Sequence, residues 1–353
     1  MNKRHFYIIL FFIILLLSIF LFLIYLEVND YQKSLEKKST LNLGQTGETD
    51  SPQIYFCPED NCQEVILSLI QDANKTIDCA VYDISSKEVS EVFINKKEQG
   101  LEIRIVTDKG RSQTKTTMVG NLKSAEINVL ISPTIESYMH NKFCVFDGNK
   151  VLIGSTNFTS NSFSESYNNI LVFENQRLAE TLTKKIDSFY FGNFSKDSTV
   201  LGETISPTTE ISFCPNSNCK QKVLDEISSA KETIECMQYS FTLDDIGDEM
   251  LNAKERGVDV KVIFETQQLS EYSEYEKLKQ LGVSVVEDND PYLMHNKYCV
   301  FDGGTIITGS MNYSANGTNN NDETLLVIKD ENLSKQYKEN FQKYWVMWNN
   351  QGN

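Results

Sequence analysis

The sequence predicts an α/β protein of two similar lobes, each a mixed sheet flanked by helices, preceded by one N-terminal transmembrane helix. Three observations predict this class: an apolar run near the N-terminus, an internal repeat, and strands that alternate with helices in both copies. The 353 residues are 40% hydrophobic and 23% charged, which excludes a disordered or fibrous chain. A net charge of -16 argues against a general nucleic-acid coat protein.

The apolar run covers residues 6–26. A helix of that length spans about 32 Å, which matches a hydrocarbon core of about 30 Å. The run is longer than a cleavable signal sequence and lacks a small-residue cleavage site, so we interpret it as an uncleaved signal anchor rather than a buried core helix. Basic residues precede it and acidic residues follow it. The positive-inside rule therefore predicts a single-pass protein with residues 1–27 forming the cytoplasmic tip and anchor, and everything beyond them outside the cytoplasm.

The rest of the chain repeats itself. Residues 56–62 (FCPEDNC) return as residues 213–219 (FCPNSNC), and residues 139–148 (MHNKFCVFDG) return as residues 294–303 (MHNKYCVFDG). Matching segments in matching order indicate a duplicated structural unit.

The repeat divides the body into lobe 1 at residues 53–200 and lobe 2 at residues 211–353. Residues 28–52 are expected to be a polar linker, and residues 201–210 the linker between the lobes. Both lobes show an amphipathic helix, a buried strand, and a helix that ends at Gly100 or Gly257, followed by further strands. The expected strands are 76–82, 101–106, 127–131 and 151–153 in lobe 1, and 233–239, 258–264, 283–286 and 305–308 in lobe 2.

Histidine is scarce: His5 flanks the anchor, and the exported body has only His140 and His295. Each begins the pattern H-x-K-x-x-x-x-D, followed by G-S-x-N. The lobe 1 set is His140, Lys142, Asp147, Gly154, Ser155 and Asn157, and the lobe 2 set is His295, Lys297, Asp302, Gly309, Ser310 and Asn312. On a strand, residues two apart share a face, so each imidazole projects beside an ammonium. Two such sets facing each other would surround one phosphoryl group.

This arrangement predicts phosphodiester cleavage without a metal or other cofactor. One neutral histidine attacks phosphorus, and the other donates a proton to the leaving alkoxide and then activates water. The expected phosphate-binding residues are Lys142, Lys297, Ser155, Ser310, Asn157 and Asn312. A single H-x-K would more often be structural, but two copies with identical internal spacing favour the catalytic interpretation.

On these motifs the sequence resembles the phospholipase D superfamily over residues 53–350. The resemblance implies two α/β lobes related by a pseudo-twofold axis, with the active site in the cleft between them. It also implies a phosphohistidine intermediate and no metal requirement. Asp147 and Asp302 are then supporting residues rather than phosphate ligands.

The family often has a Glu fourteen residues after the Gly of G-S-x-N, where it holds a catalytic histidine. Lobe 2 has Glu323 at this position, whereas lobe 1 has Asn168. Since a carboxylate favours the imidazolium form, we expect Glu323 to back His295 and make it the better acid. His140 is then the better neutral nucleophile, in agreement with the common family assignment.

The eight cysteines fall at matched positions, four in each lobe. Cys57 with Cys62 and Cys214 with Cys219 predict short-loop disulfides in an exported domain. The alternative is one four-cysteine zinc site built from both repeats. The remaining four lie on expected strands, either as buried small side chains or as a bridging pair within each lobe: Cys79, Cys144, Cys236 and Cys299.

The two lobes differ in charge after their second strand. Residues 103–124 carry five basic side chains and one acidic one, whereas residues 261–280 carry three Lys and four Glu. The lobe 1 stretch is either a solvated loop or a basic rim for an anionic substrate.

These observations favour a membrane-anchored, exported phosphodiesterase of the phospholipase D type, acting on phospholipids as a monomeric catalytic unit. The alternative is an exported nuclease for single-stranded nucleic acid with the same mechanism, because the negative charge disfavours tight duplex binding. A non-catalytic binding module on the same fold is a further alternative, which the complete motif sets in both lobes oppose.

Overall fold

A computed structural model describes residues 51–350 of the chain. The predicted anchor at residues 6–26, its orientation and nearly all of the linker at residues 28–52 lie outside this range. Among the helices of residues 51–350, none combines the length and the apolar character that a bilayer crossing needs.

Lobe 1 is a seven-stranded mixed sheet with helices on both faces. Its strands are β1 (Gln53–Cys57), β2 (Thr76–Val81), β3 (Glu102–Thr107), β4 (Asn128–Ile131), β5 (Lys142–Phe146), β6 (Lys150–Gly154) and β7 (Asn168–Glu174). Its α-helices are α1 (Cys62–Asp72), α2 (Lys87–Glu98), α3 (Val119–Ser124), α4 (Ser160–Ser164) and α5 (Gln176–Tyr190). The strand order is β1-β7-β6-β5-β2-β3-β4, with β2, β3 and β4 parallel and the other neighbours antiparallel.

Lobe 2 repeats this topology with one additional edge strand. Its strands are β8 (Glu203–Ser206), β9 (Thr209–Cys214), β10 (Thr233–Gln238), β11 (Asp259–Phe264), β12 (Ser284–Glu287), β13 (Lys297–Phe301), β14 (Thr305–Gly309) and β15 (Glu323–Lys329). Its α-helices are α6 (Cys219–Ser229), α7 (Asp244–Glu255), α8 (Glu274–Gln280), α9 (Ala315–Asn319) and α10 (Glu331–Asn349). The order is β12-β11-β10-β13-β14-β15-β9-β8, again a mixed sheet.

The α/β class and the two mixed sheets are confirmed, and every strand predicted above is present with ends shifted by no more than one residue. Gly100 and Gly257 follow α2 and α7 in the left-handed region, at φ 93° and 96°, which is the usual glycine signal at a helix end. Residues 201–210 are more ordered than a linker, because they supply β8 and the start of β9. The side chain of Ile205 is 5% exposed in the central core and secures this hairpin.

The hydrophobic core has three parts. Two of them lie on the outer faces of the sheets, the first under α1 and α2 in lobe 1 and the second under α6 and α7 in lobe 2. The third lies between the lobes, where Leu182 and Phe189 of α5 belong to the same cluster as Tyr337 and Phe341 of α10. Burying side chains of this size stabilises the fold by roughly 1.5–3 kcal/mol each. The lobes therefore share a core, and this packing fixes the geometry of the cleft.

All eight cysteines form disulfides, in the pattern Cys57–Cys62, Cys79–Cys144, Cys214–Cys219 and Cys236–Cys299. The two short-loop predictions are confirmed, and the strand cysteines form a bridging pair within each lobe. This pairing excludes the four-cysteine zinc site. The strand bridges join β2 to β5 and β10 to β13, with sequence separations of 65 and 63. Loops of this length correspond to roughly 4 kcal/mol of stabilisation for each bridge.

Candidate active site

Each H-x-K pair lies at the entrance to a central strand. Lys142 and Lys297 are the first residues of β5 and β13, and the histidines precede them by two positions. The Lys142 Nζ donates to the His140 carbonyl at 2.7 Å, and the Lys297 Nζ donates to the His295 carbonyl at 2.6 Å. Both lysines are almost completely buried, at 1% and 2% exposure.

Backbone hydrogen bonds between the lobes bring the two pairs together. The His140 amide donates to the Asp322 carbonyl at 2.9 Å, and the His295 amide donates to the Tyr167 carbonyl at 2.9 Å. The segment before β5 in lobe 1 thus runs beside the segment before β15 in lobe 2, and the segment before β13 in lobe 2 runs beside the segment before β7 in lobe 1. These reciprocal contacts place the two half-sites face to face.

The same contacts place Glu323 of lobe 2 beside the histidine of lobe 1, and Asn168 of lobe 1 beside the histidine of lobe 2. The Nδ1 of His140 lies 2.8 Å from Oε2 of Glu323, and the Nδ1 of His295 lies 2.9 Å from Oδ1 of Asn168. Our expectation that Glu323 backs His295 is therefore wrong, and so is the reason given above for making His295 the better acid. The position of Glu323 in the sequence does not reveal which histidine it contacts. The segments that exchange backbone hydrogen bonds between the lobes bring it to the histidine of the opposite lobe.

Asn168 presents its oxygen, rather than its nitrogen, to His295. Its Nδ2 donates to the carbonyl oxygen of Ser162 at 3.2 Å, and its Oδ1 accepts from the Ser155 hydroxyl at 2.9 Å. The Nδ1 of His295 therefore carries a proton that it donates to Asn168. Only Nε2 of His295 is left to gain and lose a proton.

The two motif serines hold these supporting side chains. The Ser310 hydroxyl donates to Oε2 of Glu323 at 2.6 Å, just as the Ser155 hydroxyl donates to Asn168. A hydroxyl has one proton, so neither serine has one left to donate to a phosphate oxygen. The phosphate-binding role expected for Ser155 and Ser310 is therefore replaced by a positioning role.

The glycines before these serines allow close packing between strands. A Cβ added to Gly154 would lie 2.2 Å from the carbonyl oxygen of Asn169, and one added to Gly309 would lie 2.2 Å from that of Thr324. No side chain fits at either position. This explains why a glycine ends β6 and β14.

The motif asparagines retain unused polar atoms. The Oδ1 atoms of Asn157 and Asn312 are buried and have no hydrogen-bond partner within residues 51–350. Buried polar atoms are normally paired, so these two acceptor oxygens lack a donor, which the described residues do not supply.

Burial and crowding of positive charge shift the pKa values of the whole cluster. Burial, with repulsion from Lys142 and Lys297, lowers the pKa of both histidines well below the ordinary value. Burial lowers the pKa of Lys142 to about 7 and that of Lys297 well below its ordinary range. Burial also raises the pKa of Glu323 to about 8, against the attraction of Lys142. A bound anion would keep the lysines charged, and charged lysines favour the Glu323 carboxylate.

The sequence interpretation missed two tyrosines that complete the half-sites. The Tyr82 ring centre lies 4.7 Å from that of His140 and 5.0 Å from the Lys142 Nζ. Tyr239 makes the same contacts in lobe 2, at 4.6 Å from His295 and 4.7 Å from the Lys297 Nζ. Both follow a buried strand at matched positions of the repeat, a signal that comparison of the two copies could have used.

Asp147 and Asp302 lie at the far end of the motif strands, in the hairpin turns. The Asp147 carboxylate accepts from the backbone amides of residues 74–76, and Asp302 accepts from those of residues 231–233. Against the effect of burial, these amides hold the pKa of both carboxyls below the ordinary value. Their contacts are those of structural residues that join the hairpin to the preceding strand.

A buried ion pair was also missed. The Lys185 Nζ of α5 donates to Oδ1 of Asp322 at 3.0 Å, and the two side chains are 0% and 2% exposed. The Ser195 amide donates to the other Asp322 oxygen at 2.8 Å. Since Asp322 precedes Glu323 and accepts from the His140 amide, this pair fixes the segment that joins them.

The basic stretch of lobe 1 contributes one side chain at the histidines. Arg104 lies 2.7 Å from Asp78 and 2.7 Å from Asp187, so its charge is neutralised. Arg111 instead contacts Tyr82, with its guanidinium carbon 5.1 Å from the ring centre.

Comparison with known proteins agrees with this architecture. Residues 66–190 and 223–345, together more than half of the chain, each match the family model described as cardiolipin synthase, PLD-like domain. The chain is 31% identical over 140 residues to a mitochondrial cardiolipin hydrolase of Chlamydomonas reinhardtii, covering 39% of this chain and 62% of that protein. It is 32% identical over 130 residues to a phospholipase D of Rickettsia bellii, covering 36% of this chain and 65% of that protein. The matches thus span less than two thirds of either relative.

Among solved structures, the chain is similar to the phosphatidylserine synthase of Haemophilus influenzae. The sequence identity is 16% and the TM-score is 0.65, with 87% of this chain and 90% of that chain covered. This likeness supports the two-lobed fold alone.

Proposed function

The chain belongs to the phospholipase D superfamily, and from that premise we propose that it hydrolyses phospholipid phosphodiester bonds through a phosphohistidine on His140. The observation that carries the proposal is the unequal backing of the two histidines. A buried carboxylate, Glu323, lies 2.8 Å behind His140, whereas an amide, Asn168, lies 2.9 Å behind His295.

The carboxylate then has the reverse of the role expected from the sequence: it supports the nucleophile, because positive charge forms on the ring that bonds to phosphorus. In the reactive form the proton stays on Nδ1 of His140, which donates a hydrogen bond to the Glu323 carboxylate. The lone pair of Nε2 attacks phosphorus. The new N–P bond leaves a positive charge on the ring, and the carboxylate stabilises that charge. The P–O bond to the head group breaks in the same step.

The amide suits the acid. A neutral oxygen stabilises an imidazolium less than a carboxylate does, so protonated His295 gives up its Nε2 proton readily to the leaving alkoxide. Neutral His295 then takes a proton from water, whose oxygen attacks phosphorus. The N–P bond breaks, which releases phosphatidic acid and restores His140.

The remaining polar groups stabilise the transition state. Lys142 and Lys297 supply the positive charge that the phosphoryl oxygens need, and Asn157 and Asn312 add amide groups. These side chains account for the charge stabilisation without a metal ion, so we expect turnover to persist in a chelator.

Three observations favour a lipid over a nucleic acid. Large apolar side chains are exposed on the loops that lead into the histidines: Ile135 is 58% exposed, Tyr138 40% and Tyr292 46%. Such side chains suit a lipid surface. The net charge of -16 opposes polyanion binding, and two relatives are named as lipid hydrolases.

We further propose that residues 6–26 anchor a monomeric enzyme in a membrane, with the catalytic body outside the cytoplasm. The apolar run supports the anchor. The four disulfides support an oxidising compartment for the body.

The test is turnover by the full chain in neutral-detergent micelles containing EDTA. The substrates are phosphatidylcholine, cardiolipin and a single-stranded oligonucleotide, with His140→Ala as the control. We expect release of phosphatidic acid from a phospholipid by the unmutated chain alone. Cleavage of the oligonucleotide without lipid turnover would replace the lipid with a nucleic acid, and no turnover of any substrate would refute the activity.

A further inference from the structure

Two buried carboxyls lie side by side in lobe 2, next to the segment that carries His295. Glu265 follows β11 and Asp288 follows β12. These parallel strands pair Phe264 with Glu287, so the next residue of each strand lies at the same edge of the sheet. Both carboxyls are 0% exposed.

Glu265 holds the histidine segment directly. Its Oε2 accepts from the Met294 amide at 2.6 Å, and its Oε1 accepts from the Gln267 amide at 2.8 Å. Met294 precedes His295, whose own amide donates to the Tyr167 carbonyl of lobe 1 at 2.9 Å. Two consecutive amides are thus held, one by a carboxyl of the same lobe and one by a carbonyl of the opposite lobe. Together these contacts fix how the histidine enters the cleft.

Asp288 has an oxygen that needs a proton donor. Its Oδ1 accepts from the amide and the hydroxyl of Thr266, at 2.9 and 2.6 Å. Its Oδ2 is buried and has no hydrogen-bond partner within residues 51–350. The carboxyl of Glu265 lies within hydrogen-bonding reach, but an ionised carboxyl has only acceptor atoms. One proton placed between the two groups supplies the missing hydrogen bond.

The electrostatic surroundings favour keeping that proton. Lys297 of β13 attracts the Glu265 carboxylate, but its Nζ already donates to a backbone carbonyl at 2.6 Å. Tyr239 and Tyr167 also face the pair, and burial raises the pKa of both phenols, so they remain neutral. Burial raises the pKa of Glu265 to about 8, and repulsion from Asp288 acts in the same direction. Burial also raises the pKa of Asp288.

Lobe 1 has the same arrangement with a single carboxyl. Asp108 accepts from the Met139 amide at 3.2 Å, one residue before His140. In place of Asp288 it has Ser132, whose hydroxyl oxygen accepts from a backbone amide at 3.0 Å. A hydroxyl carries its own proton, so the lobe 1 site needs no additional one. A buried carboxyl therefore holds the amide before the histidine in both lobes, and lobe 2 adds a second carboxyl.

We propose that Glu265 and Asp288 share one proton and act together as positioning residues for His295, the acid of the proposed reaction. The inference rests on the proposed function for the role of that histidine, whereas the shared proton depends on no substrate. The proton joins the two carboxyls and keeps Glu265 in place to accept from the Met294 amide. Without it, two carboxylates would repel each other at this point.

The first test detects the proton through stability, without any activity. Unfolded carboxyls are ionised above about pH 5.5, so unfolding releases the shared proton and stability falls as the pH rises to about 7.5. Asp288→Asn places an amide donor at the unpaired oxygen, which favours the Glu265 carboxylate, and should release about one proton fewer. The slope of the free energy of unfolding against pH, from denaturant titrations of the full chain in neutral detergent, gives this number. Glu136→Gln removes an exposed carboxyl from the matched loop of lobe 1 and should behave like the unmutated chain.

The second test measures the placement of His295. Glu265→Ala leaves the Met294 amide without its acceptor and should lower kcat on a short-chain phospholipid about tenfold. A phosphatidyl ester of p-nitrophenol, whose leaving group needs no acid, should lose less than about twofold in its first turnover. Glu265→Asp combined with Asp288→Ser reproduces the residues of lobe 1 and should recover most of the loss without restoring the proton. If Glu265→Ala does not fold, Glu265→Gln, which has one acceptor oxygen for two amides, takes its place with the same expected ratio.

The outcomes separate this inference from the proposed function. Equal proton release by Asp288→Asn and the unmutated chain would refute the shared proton, even where the unmutated chain hydrolyses lipids. Equal losses on both substrates in the Glu265 variant, with no recovery in the double variant, would refute the positioning role. If Asp288→Asn releases one proton fewer but the unmutated chain turns over no phospholipid, the shared proton stands and the proposed activity fails.

Discussion

The two half-sites share every residue of the H-x-K and G-S-x-N motifs and differ in what stands behind the imidazole. His140 has the carboxylate of Glu323 and His295 has the amide of Asn168, each supplied by the opposite lobe. A duplicated fold gives two chemically similar histidines, yet the proposed reaction needs a nucleophile and an acid. One substitution, an amide for a carboxylate, is enough to assign the roles.

A second difference lies one residue earlier. Asp322 forms a buried ion pair with Lys185, whereas the matched Tyr167 donates its hydroxyl to Asp290 at 2.9 Å and packs 4.9 Å from the Tyr344 ring. The segment that carries Glu323 is thus held by an ion pair, and the segment that carries Asn168 is held by a tyrosine hydrogen bond and aromatic packing. The ion pair therefore lies beside the residue that supports the proposed nucleophile, His140.

The largest expected effect distinguishes the histidines directly. His140→Ala and His295→Ala should each lower kcat on a natural phospholipid by about 10⁴-fold, since each removes one essential proton or bond transfer. A phosphatidyl ester of p-nitrophenol needs no acid for its leaving group. Release of nitrophenol, followed by absorbance, should recover in a first turnover of His295→Ala and should not recover in His140→Ala. Equal recovery in both variants would mean that the half-sites are interchangeable.

The next effect concerns the ion pair. Lys185→Met leaves the Asp322 charge buried and unpaired, and we expect the free energy of unfolding to fall by about 3–5 kcal/mol in denaturant titration. The matched control is Asn340→Ala in α10, which removes a neutral acceptor of the Tyr298 hydroxyl at 2.9 Å and should cost about 1 kcal/mol. A loss in Lys185→Met no larger than that of the control would show that the pair does not support the site.

A smaller effect is expected from making the two half-sites alike. Glu323→Gln places amides behind both histidines and should lower kcat about 100-fold, because the phosphohistidine charge loses its partner. Asn168→Asp, which places carboxylates behind both, should lower it less, about tenfold, by making His295 a weaker acid. Steady-state kinetics that rank the two variants in the reverse order would contradict the assignment of roles.

The smallest effect is the pH dependence set by Lys142. Its pKa of about 7 is lowered by burial, so the charged form that attracts phosphate is present below that pH and is lost above it. The nucleophile also needs the Glu323 carboxylate, whose pKa is raised to about 8, so in the free enzyme kcat/KM should pass through a maximum between about pH 7 and 8 and decline on the alkaline side as Lys142 loses its proton. Lys142→Arg, whose charge cannot titrate in this range, should keep a lower but flat profile there. An alkaline limb that persists in Lys142→Arg would assign it to another group.

The sequence predicts much of this structure because its repeat can be compared with itself. Strand positions follow from local apolar patterns, and the strand cysteines recur at the same place in both copies. The histidines and lysines follow from two-residue spacing on a strand. Such features depend on neighbours along the chain.

The contacts across the lobe interface could not be predicted in this way. The partner of Glu323 depends on how Met139 pairs with Asp322, a contact 183 residues apart in the chain. The serine hydroxyls face inward because β6 and β14 pack closely on their neighbours, which the sequence alone does not reveal. Lys185 resembles an ordinary polar helix residue until the fold buries it.

The most direct test of the central claim is to identify the histidine that carries the phosphoryl group. The full chain would react with a short-chain phospholipid, be quenched rapidly in alkali, which preserves phosphohistidine, and be digested for mass spectrometry. Peptides containing His140 and His295 are distinguishable by sequence. We expect a phosphatidyl adduct on His140 in the unmutated chain and none in His140→Ala. An adduct on His295 would contradict it.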